Sequence, residues 1–312
     1  MLNPLELNAD ERAVLDWVDT RSDAMIETVK AWSAINSGSR NPEGLERMRA
    51  CLETAFGALD DARIDAVDLQ PSTVVEPDGR VHEQPYTPSF RCQIRPEAPI
   101  RIAMTGHHDT VFPLSSAFQS TTLWDEDTLN GPGVADMKGG ILVMLHGLLA
   151  LQRSPWKDQI GVDVLISPDE EIGSLGSAPV LAEIGARADI GMTYEPALAD
   201  GSLAGARKGS GNWSLKLSGR AAHAGREHHL GRNALAAACA FGLELDSLNG
   251  RREDVTFNLA RIDGGGPPNV VPDNAVVRFN IRVKTENDRI WVLAELERLL
   301  DMVRIRDGIG AE

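Results

Sequence analysis

Three acidic residues in a row, Asp169, Glu170 and Glu171, directly follow an apolar run at residues 161–168. Ionised carboxylates this close repel one another, and they are costly to keep beside a hydrophobic strand. One explanation is a strand that ends in a solvated acidic turn. The other is a bound cation that needs these carboxylates, with one of them left to transfer a proton. The triplet by itself leaves both explanations open.

Further polar residues follow other predicted strands. His107 and Asp109 come after residues 99–106, and Glu195 comes after residues 188–194. Open α/β sheets bind ligands beyond the carboxyl ends of their strands, so these clusters could meet in one crevice. Alone, such a histidine is more often a hydrogen-bonded core or surface residue, and Glu195 could be a simple loop carboxylate.

Asp136 is a fourth candidate, in the Gly/Pro-rich loop "NGPGVADMKGG" immediately before an apolar helix. An aspartate before a helix is more often an N-cap than a ligand. Together, however, one imidazole and several carboxylates are the ligands that a divalent metal such as zinc takes. Residues i and i+2 of an extended chain face the same side, so Asp109 could hold the second ring nitrogen of a metal-bound His107.

The elements that would carry these residues alternate between strand and helix. Helices are predicted at about residues 9–35, 42–59, 137–152 and 178–184, and strands at 63–70, 90–94, 99–106, 161–168 and 188–194. Strands alternating with helices indicate an α/β layer structure with a mostly parallel sheet. We expect this metal-binding domain to span residues 1–207.

Beyond about residue 207 the predicted order changes to strand, helix, strand, strand, helix. The strands are predicted at residues 211–219, 254–262 and 274–283, and the helices at 232–248 and 285–303. This is the order of a ferredoxin-like α+β half sandwich that lacks its last strand. Residues 208–312 are therefore predicted to form a second domain.

Composition excludes several classes of partner. The chain has 312 residues, with 31 Lys plus Arg against 46 Asp plus Glu and a formal net charge of -15. Nucleic acid and anionic membranes need a basic footprint, so neither is an expected partner. The most apolar stretch, residues 139–151, is too short to span a bilayer and predicts a buried helix.

The cysteines and the N-terminal residues predict the cellular compartment of the protein. Cys51, Cys92 and Cys239 are scattered and lack the spacing of metal ligands. Residues 1–19 lack the basic and apolar regions of a secretion signal. We therefore expect reduced thiols and a cytoplasmic location.

Five segments, in the order "GHHDTV", "GPGVADMKGG", "DEEIGS", "YEP" and "AAHAG", resemble the motifs of a family of dinuclear zinc peptidases and amidohydrolases. That family includes carboxypeptidase G, acetylornithine deacetylase, succinyl-diaminopimelate desuccinylase and aminoacylase. The match extends from about residue 100 to residue 285. The resemblance implies an α/β catalytic domain with an inserted ferredoxin-like lid or dimerisation domain.

The resemblance also implies a metal-ligand set. His107 would be a terminal ligand of one metal, and it is chosen over His108 because the family pattern is H-x-D. Asp136 would bridge two metals. Glu195 would complete the set of the first metal, and Glu171 would bind the second.

The remaining roles in the first domain follow from the same resemblance. Glu170 would be the general base, which takes a proton from the attacking water and returns it to the leaving amine. Asp109 would orient the metal-bound histidine, and Asp169 is assigned a structural role. The family also holds a cis peptide bond after its bridging aspartate, here Asp136–Met137.

In the second domain the resemblance implies three functional residues. His223, in "AAHAG", would reach across a homodimer to stabilise the tetrahedral oxyanion. Asn269 and Arg282 would hold the substrate, since an arginine fork suits a terminal carboxylate. From the residues alone, His223 is a surface loop histidine and Arg282 an exposed strand residue. The nearby His228 and His229 are predicted to be solvated.

The main hypothesis is a zinc-dependent, homodimeric hydrolase that cleaves an amide bond of a small peptide or N-acyl amino acid, as carboxypeptidase G does. Cobalt and manganese are alternative metals. The rival functions are a deacetylase or desuccinylase and a non-catalytic remnant that acts as a binding protein.

The number of metals is a separate expectation. Intact family members hold two metals per subunit and take one more histidine from the chain after the lid. No histidine follows His229. We therefore expect a C-terminally incomplete chain that binds at most one metal tightly and hydrolyses poorly or not at all.

Overall fold

The structure, a computed structural model, describes residues 6–311, which divide into two compact units. The second unit contains Thr73–Gln84 and the chain from Ser202 onward, and the first contains the other described residues. The predicted boundary near residue 207 did not anticipate that Thr73–Gln84 leaves the first unit and joins the second.

Residues 6–311 form seven α-helices and thirteen β-strands. The helices of residues 6–311 are α1 (Ala9–Asp19), α2 (Ser22–Ser33), α3 (Pro42–Phe56), α4 (Gly139–Leu151), α5 (Ala178–Arg187), α6 (Ala234–Asp246) and α7 (Glu286–Asp307). The strands are β1 (Arg63–Val67), β2 (Ser72–Val75), β3 (Val81–Gln84), β4 (Ser89–Ile94), β5 (Ile100–His107), β6 (Thr122–Leu123), β7 (Leu129–Asn130), β8 (Ile160–Ser167), β9 (Ile190–Thr193), β10 (Gly209–Ser218), β11 (Thr256–Gly264), β12 (Asn274–Val283) and β13 (Gly310–Ala311).

The first unit is built on a mixed five-stranded sheet in the order β1-β4-β8-β5-β9. Strands β8, β5 and β9 are parallel neighbours, whereas β4 is antiparallel to both β1 and β8. Four of the five strands therefore run in one direction, as the predicted mostly parallel sheet requires. The carboxyl ends of β5, β8 and β9 lie at one edge, where the predicted site residues begin.

Alternate residues of the central strands face different helical layers. Val162, Val164 and Ile166 of β8 belong to the main core, to which α2, α3 and α4 also contribute. Leu165 and Ala103 instead pack with α5 on the opposite face. A strand that is buried on both faces in this way produces three layers, helix on sheet on helix.

The helix predicted over residues 9–35 is in fact two helices, α1 and α2. The first helix begins with a capping box, in which the side chains of Asn8 and Glu11 each accept a hydrogen bond from the other's backbone N–H. Just past its end, the Thr20 hydroxyl donates to the Trp17 carbonyl oxygen at 2.6 Å. A hydroxyl that occupies a helix carbonyl favours a helix end, so the chain stops and restarts there.

Residues Val134–Leu151 are long and apolar enough to cross a membrane by length and composition alone, with a mean hydropathy of 1.5. The backbone is non-helical at Asp136 and Met137, so the regular helix is limited to α4. Leu142 and Leu145 of α4 are buried in the main core of the first unit. This burial is typical of a core helix, as the sequence predicted.

The second unit has an antiparallel sheet in the order β11-β12-β10-β13, and α6 and α7 share its core. The element order β10-α6-β11-β12-α7-β13 is ferredoxin-like. The prediction that the last strand is missing is corrected here, because β13 pairs with Leu217 and Ser218 of β10. Gly308, which is left-handed with φ 57°, ends α7 and lets the chain turn back to that strand.

Strands β2 and β3 form a hairpin that packs within the second unit. Asn274 Nδ2 donates to the Asp78 carbonyl oxygen at 2.9 Å, and Arg278 donates to the Val75 carbonyl oxygen at 2.6 Å. A Cβ at Gly79 would lie 2.3 Å from the Asn274 amide oxygen, so this turn requires a glycine. These contacts explain why the hairpin leaves the unit that precedes it in sequence.

Candidate metal centre

His107 is the last residue of β5, and its buried imidazole lies between two carboxylates. Its Nδ1 is 3.0 Å from the backbone carbonyl oxygen of Asp109 and 3.3 Å from Oδ1 of the same residue. Its Nε2 is 2.9 Å from Oδ1 of Asp136. Asp109 therefore contacts the ring, as the i, i+2 pattern predicted, and the other ring nitrogen faces a predicted metal ligand.

Asp109 is fully buried and joins three parts of the first unit. Its Oδ2 accepts a hydrogen bond from the Ser39 hydroxyl at 2.7 Å. Its two carboxylate oxygens also accept from the backbone N–H groups of Glu170 and Glu171, each at 3.2 Å. Because Asp109 also contacts His107, one carboxylate holds together the ends of β5 and β8 that carry the predicted ligands.

Asp109→Asn is expected to weaken metal binding about 10–100-fold, because an amide nitrogen cannot accept the hydrogen bonds that a carboxylate oxygen accepts. Competition between the protein and a chromophoric chelator for zinc measures the affinity. Asp163→Asn is the matched control, since Asp163 pairs with Arg91 on the same sheet and not with the candidate ligands. An Asp109→Asn protein with wild-type zinc affinity would contradict this orienting role.

Asp136 lies in the kinked segment Val134–Lys138, which precedes α4. The Asp136–Met137 peptide bond is cis, as the family resemblance predicted. The buried Met137 places its Sδ 3.2 Å from the His107 backbone nitrogen, which donates to it. A Cβ at Gly106 would lie 2.7 Å from Met137 Cε, so the Met137 side chain packs closely against β5. The loop of Asp136 therefore packs directly on the strand that carries His107.

The three acidic residues after β8 have different surroundings. Asp169 is fully buried, and its Oδ2 accepts hydrogen bonds from the backbone N–H groups of Gly176 at 2.8 Å and Ser177 at 3.1 Å. It therefore closes the loop, which is the structural role predicted for it. Glu170 and Glu171 lie in the short 3-10 turn that follows, with partly exposed side chains.

The predicted site residues of the first unit converge at this edge of the sheet. Ligand atoms of His107, Asp136 and Glu171 lie within 4.8 Å of one another, and so do those of His107, Glu170 and Glu195. Such mixtures of imidazole and carboxylate are typical of metal sites. Glu170 lies as close to the histidine as a ligand would, so its role as the general base stays a prediction from the family resemblance.

The negative charge of the clustered carboxylates around His107 favours the binding of a cation. No lysine or arginine of residues 6–311 forms an ion pair with Asp136, Glu170 or Glu171. Burial, reinforced by the Asp136 carboxylate, raises the pKa of Glu171 to about 7. Burial alone would lower the pKa of His107, but the neighbouring carboxylates outweigh it and raise that pKa to about 11. A divalent cation would replace the protons that these groups otherwise hold, so the donor set fits a metal.

His108 is buried beside this group but belongs to neither set of ligand atoms. Neither of its ring nitrogens has a hydrogen-bond partner among the described residues. Burial lowers the pKa of His108 to about 3, so its ring is neutral. Its backbone carbonyl accepts a hydrogen bond from the Ser37 hydroxyl at 2.6 Å. This environment agrees with the choice of His107 by the H-x-D pattern.

The residues predicted to contact substrate lie in the second unit. The exposed His223 accepts hydrogen bonds at Nδ1 from the backbone N–H groups of Gly225 and Arg226, each at 3.2 Å. A neutral ring with Nδ1 as acceptor carries its proton on Nε2, which is then a donor. The Asn269 carbonyl oxygen accepts from the Ala224 backbone N–H at 2.9 Å. His223 and Asn269 are therefore on neighbouring segments.

Arg282 lies at the opposite end of the same sheet. It is eight residues beyond Asn274 along β12, roughly 27 Å in an extended strand. The segments of His223 and Asn269 continue from the Asn274 end, through a bridge between His223 and Val270. One copy of the second unit therefore does not bring Arg282 together with His223 and Asn269.

Similarity to known proteins extends over both units. Residues 205–305 match the peptidase dimerisation domain of M20 proteins. Carboxypeptidase G2 from Pseudomonas sp. (strain RS-16) is 30% identical over 197 residues, which cover 63% of this chain and 48% of that protein. The chain is therefore similar to M20 metallopeptidases.

A second relative and a solved structure extend the M20 comparison. Succinyl-diaminopimelate desuccinylase from Gluconobacter oxydans (strain 621H) is 32% identical over 197 residues, covering 58% of this chain and 51% of that protein. The chain thus spans about half the length of both relatives. The M20 family metallo-carboxypeptidase Sso-CP2 from Sulfolobus solfataricus shares the fold, with a TM-score of 0.61 at 16% identity over 92% of this chain and 77% of that one.

Two residues that support the candidate metal centre were missed by sequence reasoning. Ser39 holds Asp109, and Lys138 donates to backbone carbonyl oxygens near the end of α2. Their partners lie 70 to 106 positions away in the chain. No local pattern marks such contacts, so nothing in the sequence singled out either residue.

Proposed function

We propose that the protein is a metal-dependent hydrolase that cleaves an amide bond of a C-terminal or N-acylated amino acid. The proposal is carried by the convergence of His107, Asp136, Glu171 and Glu195, with Glu170 beside them, at the ends of parallel strands. Relatives named as a carboxypeptidase and a desuccinylase support it.

The metal would be held by the predicted ligands. His107, Asp136 and Glu195 would hold one ion, whereas Asp136 and Glu171 would supply only part of the ligand set for a second. Zinc suits this mixture of nitrogen and oxygen ligands, with cobalt or manganese as alternatives. When bound, such an ion polarises a carbonyl group and lowers the pKa of water.

Glu170 would move the proton during amide cleavage. Its Oε2 lies 3.9 Å from His107 Nε2, within the group of predicted ligands. Burial raises the pKa of Glu170, and the Glu195 carboxylate adds to this effect although the His107 ring opposes it. A carboxylate with a raised pKa is suited to accept a proton from water and return it to the leaving amine.

The second unit would supply substrate contacts as part of a cytoplasmic homodimer. The match to a peptidase dimerisation domain supports this assembly. Two copies would present opposite ends of their sheets, so one could offer Arg282 while the other offers His223 and Asn269. His223 would donate from Nε2 to the developing oxyanion, and Arg282 would bind a substrate carboxylate.

Amide hydrolysis by the purified protein tests this function. We expect it to release the free amino acid from N-acyl amino acids or small peptides, with release abolished by a chelator and restored by zinc, cobalt or manganese. Preference for C-terminal glutamate would support the carboxypeptidase, whereas preference for N-succinyl or N-acetyl substrates would support a deacylase, the alternative that the desuccinylase relative favours. Absence of hydrolysis with every metal would contradict the proposal.

A further inference from the structure

We infer that Lys138 is a positioning residue for the metal centre, because its buried ammonium group ties the loop of Asp136 to the end of α2 and so sets the distance from Asp136 to His107. This inference rests on the proposed metal-dependent function. It assigns a role to a charged residue whose side chain forms no hydrogen bond or ion pair, within residues 6–311, with the candidate ligands or with the residues predicted to bind substrate.

The Lys138 side chain is only 1% exposed. Its Nζ donates to the backbone carbonyl oxygens of Trp32 at 3.0 Å and Ile35 at 2.8 Å, at the carboxyl end of α2. The Trp32 carbonyl oxygen also accepts from the Ile35 backbone N–H at 3.1 Å, but carbonyl groups at this end of a helix carry partial negative charge and so suit an ammonium group. No carboxylate of residues 6–311 forms an ion pair with Lys138. An apolar side chain could fill the same space without burying a charge, which points to a role beyond packing.

A further hydrogen bond attaches the loop of Asp136 to the end of α2. The buried Ser33 hydroxyl donates to the Pro132 carbonyl oxygen at 2.8 Å. Pro132 precedes Asp136 and Lys138 follows it, so the loop is attached to α2 on both sides of the predicted ligand. Asp136 itself keeps a half-exposed side chain that extends from this attached loop.

The same segment also holds the strand end that carries His107. The chain leaving α2 donates from the Ser37 hydroxyl to the His108 carbonyl oxygen at 2.6 Å and from the Ser39 hydroxyl to Asp109 Oδ2 at 2.7 Å. Residues 32–39 therefore anchor both predicted ligands, one through Lys138 and the other through the two serines. Removal of groups that orient a metal ligand commonly weakens metal affinity by about 10–100-fold.

Cobalt titration of the protein and of its Lys138→Met variant tests this role. We expect about 10–100-fold weaker cobalt binding and an altered visible absorption spectrum of the bound cobalt, because the ligand separation is no longer held. The free energy of unfolding of the metal-free protein should change little, since removal of a buried charge offsets the lost hydrogen bonds. Lys30→Met is the matched control, because Lys30 lies in the last turn of α2 but pairs with Glu27.

Ser33→Ala tests the second attachment with a smaller change. We expect cobalt binding to weaken by about three- to tenfold, as for the loss of one buried hydrogen bond. If Lys138→Met does not fold, the affinity and spectrum of Ser33→Ala decide the matter alone. A folded variant of either kind with the wild-type affinity and spectrum would overturn the inference while the metal-dependent function stands. A wild-type protein that binds no cobalt would overturn the proposed function itself, and this inference with it.

Discussion

Glu170→Gln is expected to lower kcat by about 10²–10⁴-fold while the metal stays bound, because glutamine cannot accept and return a proton. Glutamine has nearly the shape of glutamate, so substrate binding and KM should change little. The backbone N–H of Glu170, which donates to Asp109, is unaffected by the substitution. Steady-state kinetics and elemental analysis of the same preparation measure both properties.

Glu183→Gln is the control for this experiment. Glu183 lies on α5 of the same unit and pairs with Arg187 at 2.9 Å, away from the candidate ligands. It should retain wild-type kcat and metal content. A Glu170→Gln protein with near-wild-type kcat would remove Glu170 from the base role, and one that loses its metal would identify Glu170 as a ligand.

Asp136→Ala is expected to remove metal from the protein. The change deletes a ligand itself, so the loss of affinity should exceed the roughly 10–100-fold typical of groups that only orient a ligand. The Asp136 side chain is 53% exposed, and loss of its 2.9 Å contact with His107 is offset by relief of repulsion from the other carboxylates, so its removal should change the free energy of unfolding of the metal-free protein only slightly. Elemental analysis after dialysis and urea denaturation measure the two effects.

Asp127→Ala serves as the matched control, because Asp127 is an exposed aspartate of the same unit. It should retain the wild-type metal content and the wild-type free energy of unfolding. Unchanged metal content in Asp136→Ala would exclude Asp136 from the ligand set. A large loss of stability in the metal-free variant would instead point to a structural role for this carboxylate.

The sequence by itself determined features that depend on near neighbours in the chain. The near-continuous burial of β8 follows from its apolar run, which the local sequence records directly. The contact between His107 and Asp109 likewise follows from their spacing on an extended chain. The cis bond at Asp136–Met137 came from the motif resemblance. Each of these predictions needed only a short window of sequence.

Other features were decided by the tertiary structure, because they depend on which distant segments pack together. The hairpin Thr73–Gln84 belongs to the second unit through contacts across about 200 positions, such as that of Arg278 with Val75. The separation of Arg282 from His223 depends on how β10 and β12 pair. Lys138 finds its acceptors only once α2 has packed beside the loop that precedes α4. Local periodicity records which face of an element is apolar, but not which partner will cover it, so these contacts exist only in the folded chain.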